Sequence, residues 1–221
     1  MFVKKLFLNS FLLCILFTGT ILSFSFKDSA LLNEESLDNF SSIQEGDIVF
    51  QISQSGQGKA IQLATHSKYT HCGLIFKENN DYIVYEAVQP VKKTLLKEWI
   101  KHGEKNSYEI RRLKKSSTYM TPQVISKMKQ KYKQFEGKNY DLYFEWSDDK
   151  IYCSELVWKI YKGTTGLEVG KLQKLKEFDL SPPFVKAKLQ ERYGSKIPYE
   201  EMVISPAGIF ESDLLIAVRL D

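Results

Sequence analysis

Cys153 heads a run in which Cys153, Leu156, Val157, Ile160 and Tyr161 fall at i, i+3, i+4, i+7 and i+8, the spacing of a helix with one apolar face. A cysteine in the first turn of a helix has free backbone N–H groups and the positive end of the helix dipole beside it, which favour a thiolate. The same donors can hold the oxyanion formed when that thiolate attacks a carbonyl. Such a nucleophile needs an imidazole base and a third group that orients the base. The chain offers His66, His71 and His102. His66 and His102 end helical runs, where an imidazole can meet the last carbonyls. His71 opens a predicted strand and is the candidate base. The plainer alternative is a small half-buried cysteine and a solvated histidine with no chemistry between them.

The orienting group follows from hairpin register. Predicted strands at 71–76 and 81–87 flank Lys77-Glu78-Asn79-Asn80, read as a four-residue loop. With Asp81 opposite Phe76, His71 lies opposite Glu86, and same-face neighbours across strands have Cβ atoms about 4.5–5.5 Å apart. A carboxylate there would accept from the imidazole and hold its tautomer. A slip of one residue would set Glu86 against Cys72 and dissolve the trio. Strand parity turns Cys72 away from His71. Cys72 is therefore expected in the opposite layer as a buried small residue, not in a disulfide with Cys153 or in a joint metal site. The spacings of zinc sites, P-loops, dinucleotide folds and serine elbows are absent from the sequence, so neither metal nor organic cofactor is expected.

The elements that must position these residues are legible in outline. Gly46-Asp47 turns into a buried strand at 48–52, and a polar loop leads to a helix from Lys59 to His66. Thr94 to His102 reads as a short amphipathic helix closed by Gly103, and Tyr108 to Leu113 as a strand. Thr121-Pro122 starts a helix whose stripe of Val124, Ile125, Met128, Tyr132 and Phe135 runs toward Gly137. Ser181-Pro182 and Ser205-Pro206 start two more, and 214–218 is a last strand. Strands and helices alternate along the chain, and the α+β class comes with the resemblance described below.

With 221 residues, 43% hydrophobic, 26% charged and a net charge of +4, the chain is neither disordered nor a polytopic membrane protein, and it lacks the basic excess of a nucleic-acid binder. Lys4 and Lys5 precede an apolar run, Leu6 to Phe17, that holds Cys14, and Ser23-Phe24-Ser25 closes the segment. This pattern predicts a signal peptide over 1–25 and export to the periplasm, the envelope or the medium. The alternative is an uncleaved anchor at the membrane surface. Residues 26–44 read as a linker and 45–221 as one domain.

A resemblance joins these features. Gly46-Asp47-Ile48-Val49-Phe50-Gln51, the run from Lys59 through Thr70-His71-Cys72-Gly73, Tyr85-Glu86-Ala87-Val88, Gly137-Lys138-Asn139-Tyr140-Asp141, Trp146 to Asp149, Tyr152-Cys153-Ser154-Glu155-Leu156-Val157 and 174–180 together resemble the YiiX/YebB-like branch of the NlpC/P60 cysteine hydrolases. The resemblance implies a circularly permuted papain-like fold, an antiparallel sheet packed against helices, with the histidine strand before the cysteine helix. It implies Cys153 as nucleophile, His71 as general base, Glu86 as orienting residue and Tyr140 as an extra tyrosine near the cysteine. It also implies a substrate carrying an acyl chain, as in lecithin:retinol acyltransferase-like proteins, or a cell-wall peptide, as in the unpermuted members. A third reading is an envelope protein that binds an amphiphile without turnover. Tyr140, Tyr143, Phe144 and Trp146 would line an apolar pocket or else belong to the core.

Overall fold

The computed structural model describes residues 40–219. The expected leader at 1–25 and the linker as far as residue 39 lie outside the described residues. Within them, Phe40 and Ile43 are buried against the sheet, and the Ser42 carbonyl accepts from Arg112, whose guanidinium also pairs with buried Asp47 at 2.7 Å. No helix among the described residues is long and apolar enough to cross a membrane.

Apolar stretches such as Ile48-Val49-Phe50 and Leu74-Ile75-Phe76 can be buried on both sides only in a sheet covered on both faces. The chain builds such a sheet from β1 (Ile48–Gln51), β2 (His71–Glu78), β3 (Asp81–Glu86), β4 (Lys92–Leu95), β5 (Tyr108–Leu113) and, late in the chain, β8 (Leu215–Ala217), in the order β4-β3-β2-β1-β5-β8 and antiparallel throughout. The helices are α1 (Gly56–Thr65), α2 (Leu96–Lys101), α3 (Ser116–Tyr119), α4 (Pro122–Lys133), α5 (Cys153–Thr165), α6 (Pro183–Tyr193) and α7 (Pro206–Phe210), and a two-stranded ribbon pairs β6 (Gln173–Lys174) with β7 (Met202–Val203).

Parity splits the core. Ile48, Phe50, Cys72, Leu74, Phe76 and Tyr85 face α4 and α5, while Val49, Ile75, Val84 and Ile110 face Leu96 and Trp99 of α2. The architecture is the α+β arrangement expected. Several details differ. β4 takes Thr94 and Leu95 out of the expected helix, because they pair with Val84 and Ile83. The hairpin between β2 and β3 turns on two residues, not four: Glu78 pairs with Asp81, and Asn79 and Asn80 have φ of 47° and 74°. Both sit in the left-handed region that asparagine tolerates and that this tight turn requires.

Candidate active site

The shorter turn moves the register by two residues. Leu74 pairs with Tyr85, so Gly73, not His71, lies across from Glu86. A shift of two preserves the face, and Glu86 reaches His71 on the diagonal. Its Oε2 lies 2.7 Å from His71 Nε2 and accepts from Trp99 Nε1 at 2.8 Å, while Oε1 accepts from Thr94 Oγ1 at 2.6 Å. The His71 ring stacks on Trp99, with centroids 5.7 Å apart. Burial by itself raises the Glu86 pKa, but the bonds from His71, Thr94 and Trp99 outweigh it and hold the carboxyl below its ordinary value.

α5 begins at Cys153. Tyr152 is its N-cap, with its N–H donating to Glu155 Oε2 at 3.3 Å, and Ser154 Oγ donates to the Ile204 carbonyl at 2.8 Å. The cysteine meets β2 at its first two residues. His71 lies close enough to Cys153 to act on its ionisation, and since Nε2 is engaged by Glu86, Nδ1 is the nitrogen left for the sulfur. The Cys72 thiol and backbone N–H are also near enough to Cys153 to favour its ionised form. Parity does turn Cys72 away from His71, as the sequence predicts, but it turns Cys72 toward the α5 layer. The expectation that this would remove Cys72 from the site is therefore corrected: at the end of a strand, residues on opposite faces can both touch a group that caps the strand. Cys72 and Cys153 are free thiols.

The electrostatics follow from these partners. The Cys72 hydrogen bond is the largest influence on Cys153; burial opposes it, and the bond and charge of His71 and the Cys72 N–H add to it, so the thiol is held well below its ordinary value. Burial would lower the His71 pKa, yet bonds to Cys153 and Glu86 raise it to about 10. Burial raises Cys72, which stays a thiol and so a donor. These directions favour a thiolate beside an imidazolium, with a carboxylate behind the ring.

Tyr140 lines the same cleft as Cys153, close enough for each to act on the other's ionisation, and its hydroxyl accepts from Gln57 Nε2 at 2.9 Å. Spacing along the chain offers no route to Gln57, Thr94 or Trp99 as members of this constellation. From Cys153 an apolar cleft of about 780 Å³, counting its open mouth, runs between α1 and α6. One helical stripe of α1, Gln57, Ala60, Ile61, Ala64 and Thr65, forms one wall; Val185, Leu189 and Arg192 of α6 face it. Of the four aromatics considered, Tyr140 and Phe144 line the cleft. Tyr143 is exposed and packs on Tyr193, and Trp146 packs on Trp158. His66, just past the last turn of α1, pairs with Asp179 at 3.1 Å, away from the site.

Residues 42–218 match the family of permuted papain-like amidase enzymes described as YaeF/YiiX, C92. The chain belongs to that family. Its members are described as permuted papain-like amidases, and the chain is accordingly a cysteine hydrolase of amidase type. The chain is 53% identical over 175 residues to the uncharacterized protein YiiX of Escherichia coli K12, covering 79% of this chain and 85% of that protein. It is also similar to a crystal structure described as metalloprotein yiiX from Escherichia coli O157:H7, at 52% identity and a TM-score of 0.77, covering 81% of this chain and 98% of that one.

Proposed function

We infer that this hydrolase cleaves an amide or ester joining an acyl chain to a small polar group, through a thioester on Cys153. The observation that carries the acyl chain is the cleft, whose lining is mostly aliphatic and aromatic and includes Cys153. A cell-wall peptide would leave those of its amides that lie against Ala60, Ile61, Leu180 and Leu189 without partners, the polar side chains of the lining, such as Gln57, Lys188 and Arg192, being a minority.

In the reaction the Cys153 sulfur attacks the carbonyl carbon, and the Cys153 N–H in the first turn of α5 faces the oxygen that gains charge. Collapse breaks the C–N or C–O bond as His71 gives its proton to the leaving atom. Water then attacks the thioester, losing a proton to His71, and the thiolate leaves with the acid. Glu86, fixed by Thr94 and Trp99, keeps the ring in one orientation throughout. An alcohol or amine in place of water would make the same site an acyltransferase.

A metal, as the description of that relative implies, does not fit these residues. The His, Cys and Glu side chains around Cys153 do not make an open ligand set: both Glu86 oxygens are already occupied by His71, Trp99 and Thr94, His71 Nε2 is engaged by Glu86, and Cys72 is held as a thiol. No step is routed through a metal. Lys4, Lys5 and the apolar run after them support export to the envelope, where an acyl substrate is at hand.

The test incubates wild type and Cys153→Ala with envelope extract and resolves lipids and peptides by mass spectrometry. The expected result is a free acid and its polar partner made by wild type alone. Peptide fragments with unchanged lipids would support the cell-wall reading, and no product with retained amphiphile would support binding without turnover.

A further inference from the structure

A tyrosine hydroxyl has one proton to give, so its direction is set by what its lone pairs accept. The Tyr140 hydroxyl accepts from Gln57 Nε2 at 2.9 Å, and it shares the cleft lining with Cys153, near enough for the two groups to act on each other's ionisation. A carboxamide has nearly the same shape either way round, so Gln57 alone could offer Tyr140 its oxygen or its nitrogen. Arg192 removes the choice. A guanidinium has five donors and no acceptor, and Arg192 Nη2 donates to Gln57 Oε1 at 3.0 Å. The Gln57 oxygen is thereby committed to Arg192 and its NH₂ to the Tyr140 oxygen. The one proton of Tyr140 is left to point at Cys153. Arg192 is itself held over the Phe144 ring, 4.9 Å from the centroid. The chain of bonds crosses three parts of the fold: α6, α1 and the segment that follows α4.

We propose that Gln57 and Arg192 are positioning residues that fix the direction of the Tyr140 O–H, so that it donates to the Cys153 sulfur. This rests on Cys153 being the nucleophile. Neither residue touches the reacting atoms, and each acts through Tyr140. A thiolate that receives one more donor is more stable, so the relay favours the ionised form at lower pH.

The decisive variant is Gln57→Glu, which keeps the shape and can still accept from Arg192 but presents an oxygen to Tyr140, turning its proton away from sulfur. The readout is the pH profile of Cys153 alkylation by iodoacetamide, followed on the Cys153 peptide by mass spectrometry and needing no substrate. Gln57→Glu is expected to move the midpoint up by about half a unit or more, a roughly threefold loss of rate on the acid limb. Tyr140→Phe should do the same, and Gln57→Glu combined with Tyr140→Phe should add nothing. Gln57→Ala, a smaller change that leaves Tyr140 free to rotate, should shift the profile in the same direction by less, as should Arg192→Leu, while Arg192→Lys retains a donor and restores most of the profile.

An unchanged profile in Gln57→Glu overturns the proposal. So does a Gln57→Glu shift that persists in full when Tyr140 is already Phe, since that would be the new charge acting on sulfur directly. A wild-type Cys153 that alkylates no faster than an ordinary thiol overturns the nucleophile assignment and the proposal together, which distinguishes the two failures.

Discussion

Glu86 meets His71 across the side-chain vacancy of Gly73: the glycine lies opposite the glutamate, and the carboxylate leans over it to reach the ring at 2.7 Å. A Cβ on Gly73 would stand 2.5 Å from Val84 Cγ1, 3.0 Å from the Tyr85 carbonyl oxygen and 3.4 Å from Glu86 Cβ. Gly73→Ala is therefore expected to cost about 1–3 kcal/mol of stability by overpacking and to lower Tm by roughly 2–4 °C for each of those kcal/mol. Because the strain falls on Val84 and the Tyr85 carbonyl, the residues that lead β3 into Glu86, Cys153 alkylation should slow in the same variant. Thermal unfolding and alkylation measured together test this, and an unaltered Tm with an unaltered rate would refute it.

The lowered Cys153 and raised His71 pKa values set a pH window. Taken alone, the His71 contribution to stability is complete below 6.5 and is lost as pH rises through about 10. The Cys153 contribution is complete above 9.0 and is lost as pH falls through its lowered value. Between 6.5 and 9.0 the folded and unfolded pairs each hold one proton, and the two slopes cancel. The difference in urea unfolding free energy between wild type and the double variant His71→Ala, Cys153→Ala should be level from about pH 7 to 8.5 and fall on either side. A steady slope across that interval would mean that one of the two groups is neutral.

Cys72→Ala removes the S–H donor and keeps the backbone N–H. The midpoint of Cys153 alkylation should rise, with a loss of roughly threefold to tenfold in rate at pH 6. Stability should change by about 1 kcal/mol, the scale of a small buried truncation. If the midpoint stays put, Cys72 packs against the nucleophile without tuning it.

Glu86→Gln takes the anion from behind His71 and leaves a neutral group of the same shape. Turnover should fall on the order of 100-fold or more, with a smaller change in KM, because the imidazolium, present when the thiolate attacks and formed again when water gives up its proton, loses its partner. Kinetics on any amide or ester found in the envelope screen would show it, and full turnover in the variant would remove Glu86 from the mechanism.

The cleft predicts a chain-length effect. Ala64 lines one wall, and Ala64→Phe would fill the space of several methylenes, each worth about 0.8 kcal/mol or fourfold in binding. Hydrolysis of long-chain acyl esters should lose 10-fold or more in kcat/KM while acetyl esters are unaffected. Equal losses on both would place the acyl chain elsewhere.

Much of this arrangement is legible in the amino-acid sequence. The stripe Cys153, Leu156, Val157, Ile160, Tyr161 locates α5 and puts the cysteine in its first turn, because helical period and burial coincide there. Thr121-Pro122 and Ser205-Pro206 behave as helix starts because their hydroxyls accept from Val124 and Gly208 N–H groups. The face shared by His71 and Glu86 is also legible although the turn holds two residues and not four, since parity survives a shift of two. The place of Cys72 beside the nucleophile is not, because parity says which face a side chain takes and not where a strand stops. Gln57, Thr94 and Trp99 are out of reach as well, since they join the site through folding across the sheet and not through any spacing along the chain. Gln57 and Arg192 lie 135 positions apart.

The distances along the chain within the trio are unequal. His71 and Glu86 are 15 positions apart on one hairpin, while Cys153 is roughly eighty residues downstream, and closing the longer loop costs more entropy. The acid and base halves can assemble early from local contacts, whereas the sulfur is drawn into place only when a distant helix docks. Until then the thiol lacks the neighbours that ionise it. A half-formed chain therefore carries an inert cysteine, and reactivity at neutral pH is itself a report that folding has finished.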